Sequence, residues 1–161
     1  MTQDSTTEVG TLTRTLHVAA PPAVVYDVVS HPEHIRSWWS DDATLPEPVP
    51  GAEGEIVFGT PGTADAVTER LTVVEAVRPR TFSFRWTHRP GDPVSPATTL
   101  LVTFTLDPAG DGTRLTMTET GFRERGWEIA VLEQTYADHE RGWDLFLPRL
   151  VAHAEHVAGA S

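Results

Sequence analysis

The chain reads as an α+β domain, a curved antiparallel sheet covered on one face by helices. Two features carry that reading. Five segments between residues 54 and 121 are strand-like, the clearest of them alternating apolar and polar side chains, and short turns join them, as in a meander that is wet on one face. From 128 to 157 the apolar residues instead recur at intervals of three and four: Ile129, Leu132, Tyr136, His139, Trp143, Phe146, Leu147, Leu150, Ala154 and Val157. A helix of that span is about 45 Å long at roughly 1.5 Å per residue and needs a large surface to cover its apolar stripe. The strands must supply it, and a long helix laid across a curved sheet leaves a space beneath it.

Composition narrows the chemistry. A length of 161 residues suits one domain able to bury about 70% of the surface its unfolded chain exposes. There is no cysteine, which excludes disulfides and thiolate metal sites, and no lysine, which excludes Schiff-base catalysis. A formal net charge of -11 argues against nucleic acid or an anionic membrane as partner, since both need a basic face. No apolar run approaches membrane-spanning length and the amino terminus has no signal-peptide pattern, so a cytoplasmic location is expected.

Residues 1–9 are polar and aperiodic, a flexible tail ahead of a single domain over 10–158. Leu12, Leu16 and Val18 alternate as in a half-buried first strand at 11–18, with Arg14 in the same register. Ala20-Pro21-Pro22 stops it, and Pro22 opens a helix to Ser30 where its missing N–H costs nothing. Pro32 opens a second short helix ending at Trp38-Trp39, adjacent rings expected to diverge, one into the core and one toward the space beneath. Prolines at 46, 48 and 50 leave only a short or edge strand over 45–51. Strands are then expected at 54–59, 66–77, 81–88, 98–106 and 113–121, separated by Pro- and Gly-rich turns at 60–62, 78–80, 89–93 and 107–112. Asp41-Asp42 and the aspartates of 107–111 read as solvated turns. Pro148, inside the long helix, deletes the bond to the Asp144 carbonyl and predicts a bend or a break there.

Four ordered blocks, AAPPAVVYDVVSHPEHIRSWWS, RPRTFSFRWTH, GTRLTMTETGF and HERGWDLFLPRL, resemble the bacterial proteins named after the activator of the heat-shock-protein-90 ATPase, in the START/Bet v 1-like superfamily. The resemblance spans about residues 11–156. It implies a helix-grip fold: about seven antiparallel strands around a long carboxy-terminal helix, with two short helices and a largely apolar cavity. Members of that superfamily include lipid carriers, hormone receptors and aromatic polyketide cyclases, and fold alone does not choose among them.

Candidate cavity-lining residues are Trp38, Trp39, Phe58, Phe84, Trp86, His88, Glu119, Tyr136, His139 and Trp143. The aromatics could wall a flat pocket or simply fill a core. His139 lies on the helix stripe and His88 continues the Phe82-Phe84-Trp86 face; either imidazole could serve as acid, base or ligand anchor, or be a hydrogen-bonded core group. Glu119, in register with Leu115 and Met117, points inward and needs a partner, for which Arg14 is the candidate. Gly142 is read as allowing close approach of helix to sheet. The pairs His31/His34 and His153/His156 share helical faces but lack the third and fourth ligands of a zinc site, so no metal is expected. With no nucleophile elbow, phosphate loop or dinucleotide fingerprint, no cofactor is expected and no residue is assigned as catalytic. Three functions remain open: a non-catalytic carrier of a small hydrophobic, aromatic or lipid-like molecule; a cyclase- or lyase-type enzyme using the cavity His or Glu; and a module that binds a chaperone, with a homodimer partner also considered.

Overall fold

The computed structural model describes residues 10–60, 62–88, 94–95 and 98–160, the side chains of His88 and Ala160 excepted. The tail expected over 1–9, Pro61, the 89–93 turn and the His88 side chain therefore lie outside the described residues. The elements run β1 (Thr11–Val18), α1 (Pro22–Ser30), α2 (Pro32–Trp38), β2 (Asp42–Thr44), β3 (Glu53–Phe58), β4 (Val67–Val77), β5 (Thr81–His88), β6 (Leu100–Ala109), β7 (Gly112–Thr120), a short 3-10 turn (Arg123–Arg125) and α3 (Ile129–Ala160).

The strands form one antiparallel sheet in the order β1-β7-β6-β5-β4-β3-β2, so the chain crosses from one edge to the other through α1 and α2 and returns as a meander. Parity holds across the centre: Leu100, Val102, Phe104 and Leu106 of β6 and Leu115 and Met117 of β7 are fully buried, while Leu101, Thr103 and Thr105 are half-buried on the other face. Register shifts between Arg70/Leu71 and Val73/Glu75 interrupt the β4–β5 ladder and leave Val74 exposed, the kind of irregularity that curls a sheet around a helix. α3 lies in that curl and packs on β1, α1 and α2.

Three local expectations are corrected. The edge strand sits at Asp42–Thr44, ahead of the prolines, and 45–51 contains no strand; Asp42 thus belongs to an edge strand, where a charged side chain is at home. β6 runs through Asp107 and Pro108 to Ala109. Its pairing with β5 ends at Thr105 while its pairing with β7 continues to Ala109, so the donor that Pro108 lacks faces a side where β5 has already ended. α3 is unbroken across Pro148, which removes the alternative of a break there, and Ile129, placed on its apolar stripe by spacing, is 62% exposed in the first turn.

Candidate functional site

The space expected between α3 and the sheet is mostly occupied by rings. Trp38 and Trp39 stack on each other at a centroid distance of 5.6 Å and 10° instead of diverging, because Trp39 lies beyond the last residue of α2 with φ at -115°. Trp39 stacks in turn on Trp143 of α3 at 5.2 Å and 28°. Trp38 is 1% exposed, gives its indole N–H to the Val28 carbonyl at 2.9 Å and meets Phe104 edge-on, so it is core. Phe84 backs Trp39 from β5. Tyr136 packs edge-on against Phe122, and its hydroxyl donates to the Thr11 carbonyl at 3.4 Å.

What remains is a recess of about 120 Å³ lined by Trp39, Phe58, Trp86, Asp138, His139, Gly142, Trp143 and Phe146. Five of these sit at 138, 139, 142, 143 and 146, one face of α3, and the others come from β3, β5 and the end of α2. Gly142 is corrected from a packing role to an opening one. A Cβ there would meet only the Phe146 ring, at 4.0 Å, so the missing side chain leaves room above the indoles and is not required for helix and sheet to approach. An apolar cavity of about 150 Å³ takes one benzene, so a recess of this size suits a single ring.

One wall of the recess rests on a buried charge system. Glu119 is 0% exposed. Its Oε2 accepts the Trp86 indole N–H at 2.7 Å, and its Oε1 accepts the Trp143 indole N–H at 2.9 Å and bonds His139 Nδ1 at 2.8 Å. Arg14 is not its partner: it turns outward to Glu140 and Asp144 of α3, each at 2.7 Å, and clamps β1 to the helix. The arginine expected as partner of Glu119 is thus replaced by two indoles and the His139 imidazole, which pairs with it at 2.8 Å, and the indoles, being donors only, fix the carboxylate as acceptor. Burial disfavours a charged His139, but the hydrogen bond and negative charge of Glu119, with Glu69 and Asp138 behind it, prevail and hold its pKa above the ordinary 6.5. The His139 ring sits between Trp86 and Phe122, with Nδ1 committed to Glu119 and Nε2 as its other polar atom.

Of the sequence candidates, Trp39, Phe58, Trp86, His139 and Trp143 therefore meet at the recess, Glu119 stands directly behind it, and Trp38, Phe84 and Tyr136 lie in the surrounding core. Asp138, Gly142 and Phe146 were missed as a set, although their spacing to His139 and Trp143 already puts all five on one helical face. Elsewhere α2 and α3 bring His34 Nδ1 and His153 Nε2 to 2.9 Å, with His31 edge-on to His34. Among the described residues no group of three or more His, Cys, Asp or Glu is placed to hold a metal ion, and no helix is long and apolar enough to cross a membrane.

A comparison with curated proteins gives no match. Solved structures do match: a protein from Mesorhizobium loti at 23% identity (TM-score 0.70, covering 91% of this chain and 97% of that one) and one from Nitrosomonas europaea at 18% (0.72, 96% and 99%). A third is the Aha1 dimer from Colwellia psychrerythraea, at 17% identity (0.68, 90% and 96%). At these identities the likeness shows the fold, which is the START/Bet v 1-like fold that the residues led us to expect. The sequence itself matches, over residues 19–155, the family described as "Activator of Hsp90 ATPase homolog 1-like protein", and the chain belongs to that family.

Proposed function

We propose that the protein is a non-catalytic binder or carrier of a small, flat hydrophobic molecule, whose ring enters the recess above Trp39, Trp86 and Trp143 and is oriented by Nε2 of His139. The observation that carries the reading is the pairing of a mostly apolar slot of single-ring size, with Asp138 also in its lining, with an imidazole fixed from behind by Glu119. Burying a ring removes about 150 Å² or more from water, worth about 4 kcal/mol at roughly 25 cal/mol per Å². The cost of ordering the ligand offsets much of this, and a hydrogen bond to His139 adds about 1 kcal/mol, so binding in the millimolar range or weaker is expected. The test is quenching of tryptophan fluorescence by 4-ethylphenol in wild type and in Gly142→Leu, whose added side chain projects into the recess. Millimolar quenching lost in the variant is the expected result; quenching that survives a filled recess sinks the proposal.

A specific observation favours a second reading, an acid–base enzyme of the cyclase or lyase kind. Glu119 fixes the orientation of His139 and raises its pKa, the arrangement that equips an imidazole to exchange a proton with a bound ligand. His139→Gln separates the two: a carrier loses affinity modestly, whereas an enzyme keeps binding and loses turnover by orders of magnitude. The family description, and the dimer named for the Colwellia structure, also support association with a chaperone or with a second copy. Stimulation of a chaperone's ATPase and sedimentation of the free protein test those partners, and cell fractionation tests the cytoplasmic location that belongs to the same reading.

A further inference from the structure

Beside the recess lies a second cleft, of about 310 Å³, that shares Trp39, Phe58 and Phe146 with it. The two differ in character. The recess is walled mostly by rings, with Asp138 also in its lining, whereas the cleft is lined by two arginines, Arg36 from α2 and Arg149 from α3, together with Ser37, Ser40 and Asp41. The Arg149 guanidinium lies over the Phe146 ring at 5.5 Å and makes no ion pair with a described residue. Arg36 donates to the Ala43 carbonyl at 3.0 Å and stands 4.0 Å from Asp42. The acids at this end are already engaged by backbone: Asp41 Oδ2 accepts the Gly59 N–H at 2.6 Å, and Asp42 Oδ1 accepts the Ala43 N–H at 2.9 Å.

Carboxylates outnumber arginines in this chain, 23 to 12, and Arg14, Arg70, Arg78 and Arg141 each have one within 3.0 Å. An arginine held over an aromatic ring at a cleft mouth, without such a partner, keeps its donors for something else. We propose that this cleft is the second half of the binding site and receives the carboxylate of an amphipathic ligand whose ring occupies the recess. The inference rests on the recess being a binding site and adds the chemical class of the ligand: a hydrophobic acid with a tether between body and carboxylate. A bound acid would pass the rim formed by Trp39, Phe58 and Phe146, which belong to both spaces, and place its anionic end between Arg36 and Arg149.

The test compares 6-phenylhexanoate with its neutral amide by tryptophan fluorescence at pH 7.5 and low salt, in wild type, in the double variant Arg36→Gln/Arg149→Gln and in Gly142→Leu. Both arginines are exposed, so folding of the double variant is checked by its thermal midpoint. The expected result is an acid-to-amide affinity ratio of ten or more in wild type, falling to about one in the double variant and weakening with salt, while Gly142→Leu abolishes binding of both. Equal binding of acid and amide by wild type, or a ratio that the double variant preserves, overturns the anion subsite and leaves the recess standing. Absence of binding by either compound, or binding untouched by Gly142→Leu, overturns the recess and the subsite together.

Discussion

Replacing Glu119 with Gln keeps the volume and shape of a fully buried side chain and changes only what its two terminal atoms can do. Three N–H groups converge on those atoms in the wild type, two of them from indoles that cannot accept. If the amide nitrogen takes the place of Oε2, it confronts the Trp86 N–H donor to donor. If it takes the place of Oε1, it confronts Trp143, although His139 can change tautomer and accept at Nδ1. Either way one buried indole N–H loses its acceptor, which costs about 1–3 kcal/mol, and the remaining bonds lose the strength that a charged acceptor lends them. Relief of the desolvation of a buried charge offsets part of this. The net loss expected is about 2–3 kcal/mol by urea denaturation. In a Trp86→Phe background, where the ring stays and the orphaned donor is gone, the cost of Glu119→Gln should fall to about 1 kcal/mol.

The same substitution reverses the titration of His139. Burial opposes its charge and Glu119 overrides burial, so with Glu119 neutralised burial governs and the pKa should drop below 6.5, read from the His139 ring C–H resonance against pH. In wild type the folded state holds this proton more tightly than the unfolded chain does. That stability is fully present below the unfolded pKa and is lost as pH rises through the folded one. Wild type and Glu119→Gln should therefore differ more at pH 6 than at pH 8.5. A variant within about 0.5 kcal/mol of wild type, or a His139 that still titrates above 6.5, would refute the claim that Glu119 is held by these three donors and sets the charge of the imidazole.

Three further perturbations probe the frame around the site. Burial, then the nearby His34 and His156, push the His153 pKa below 6.5, so its contribution is intact above the ordinary pKa and lost as pH falls through the folded one; His153→Gln should lose less stability than wild type between pH 7.5 and 5.5, and a His153 resonance titrating above 6.5 contradicts this. Gly54→Ala would set a Cβ 2.3 Å from the Thr44 carbonyl oxygen, so β2 must part from β3 at a cost of about 2 kcal/mol or more, measured by thermal denaturation; a neutral result would mean that the edge pairing is absent. Arg14→Gln removes partly exposed ion pairs to Glu140 and Asp144 and should cost no more than about 1 kcal/mol, less in high salt, without moving the His139 titration. A shifted His139 would instead return Arg14 to the neighbourhood of Glu119.

The boundaries read correctly from sequence are those with a local cause. The first strand ends at Val18, just ahead of Pro21-Pro22, each short helix opens on a proline, and β5 spans 81–88, the clearest alternation in the chain. The misplacements arise where a neighbour decides. Pro108 is tolerated in β6 only because β5 has stopped before it, and nothing in the sequence around Pro108 reports where β5 stops. Glu119 shows the same limit within the site. Alternation with Leu115 and Met117 turns it inward, but its partners follow from register. Val102 lies between Glu119 and Phe84, Trp86 is two residues further along β5 on the same face, and α3 brings His139 and Trp143 over the pair. Arg14 had the right parity and the wrong address, because Leu12 and not Arg14 lies opposite Glu119, and the acids of α3 are within its reach.

The size of the recess depends on side chains that no pattern in one sequence could have placed. Trp38, Trp39 and Trp143 form a continuous stack between α2 and α3, and Trp86 and Phe84 close it from the sheet. A stack of rings in van der Waals contact is as dense as any core, and a lipid-sized guest could enter only by displacing an indole, forfeiting about 3–5 kcal/mol of packing per ring. At Gly142 the wall is thin, because α3 withholds a side chain from the lining of the recess there. The size of the recess is therefore a consequence of two opposite choices on two helices, a tryptophan at 39, just past the end of α2, that fills the space beneath α3 and a glycine at 142 of α3 that leaves part of it open. On the proposed binding reading, His139, held by Glu119, supplies the polar contact that would distinguish one ring of that size from another.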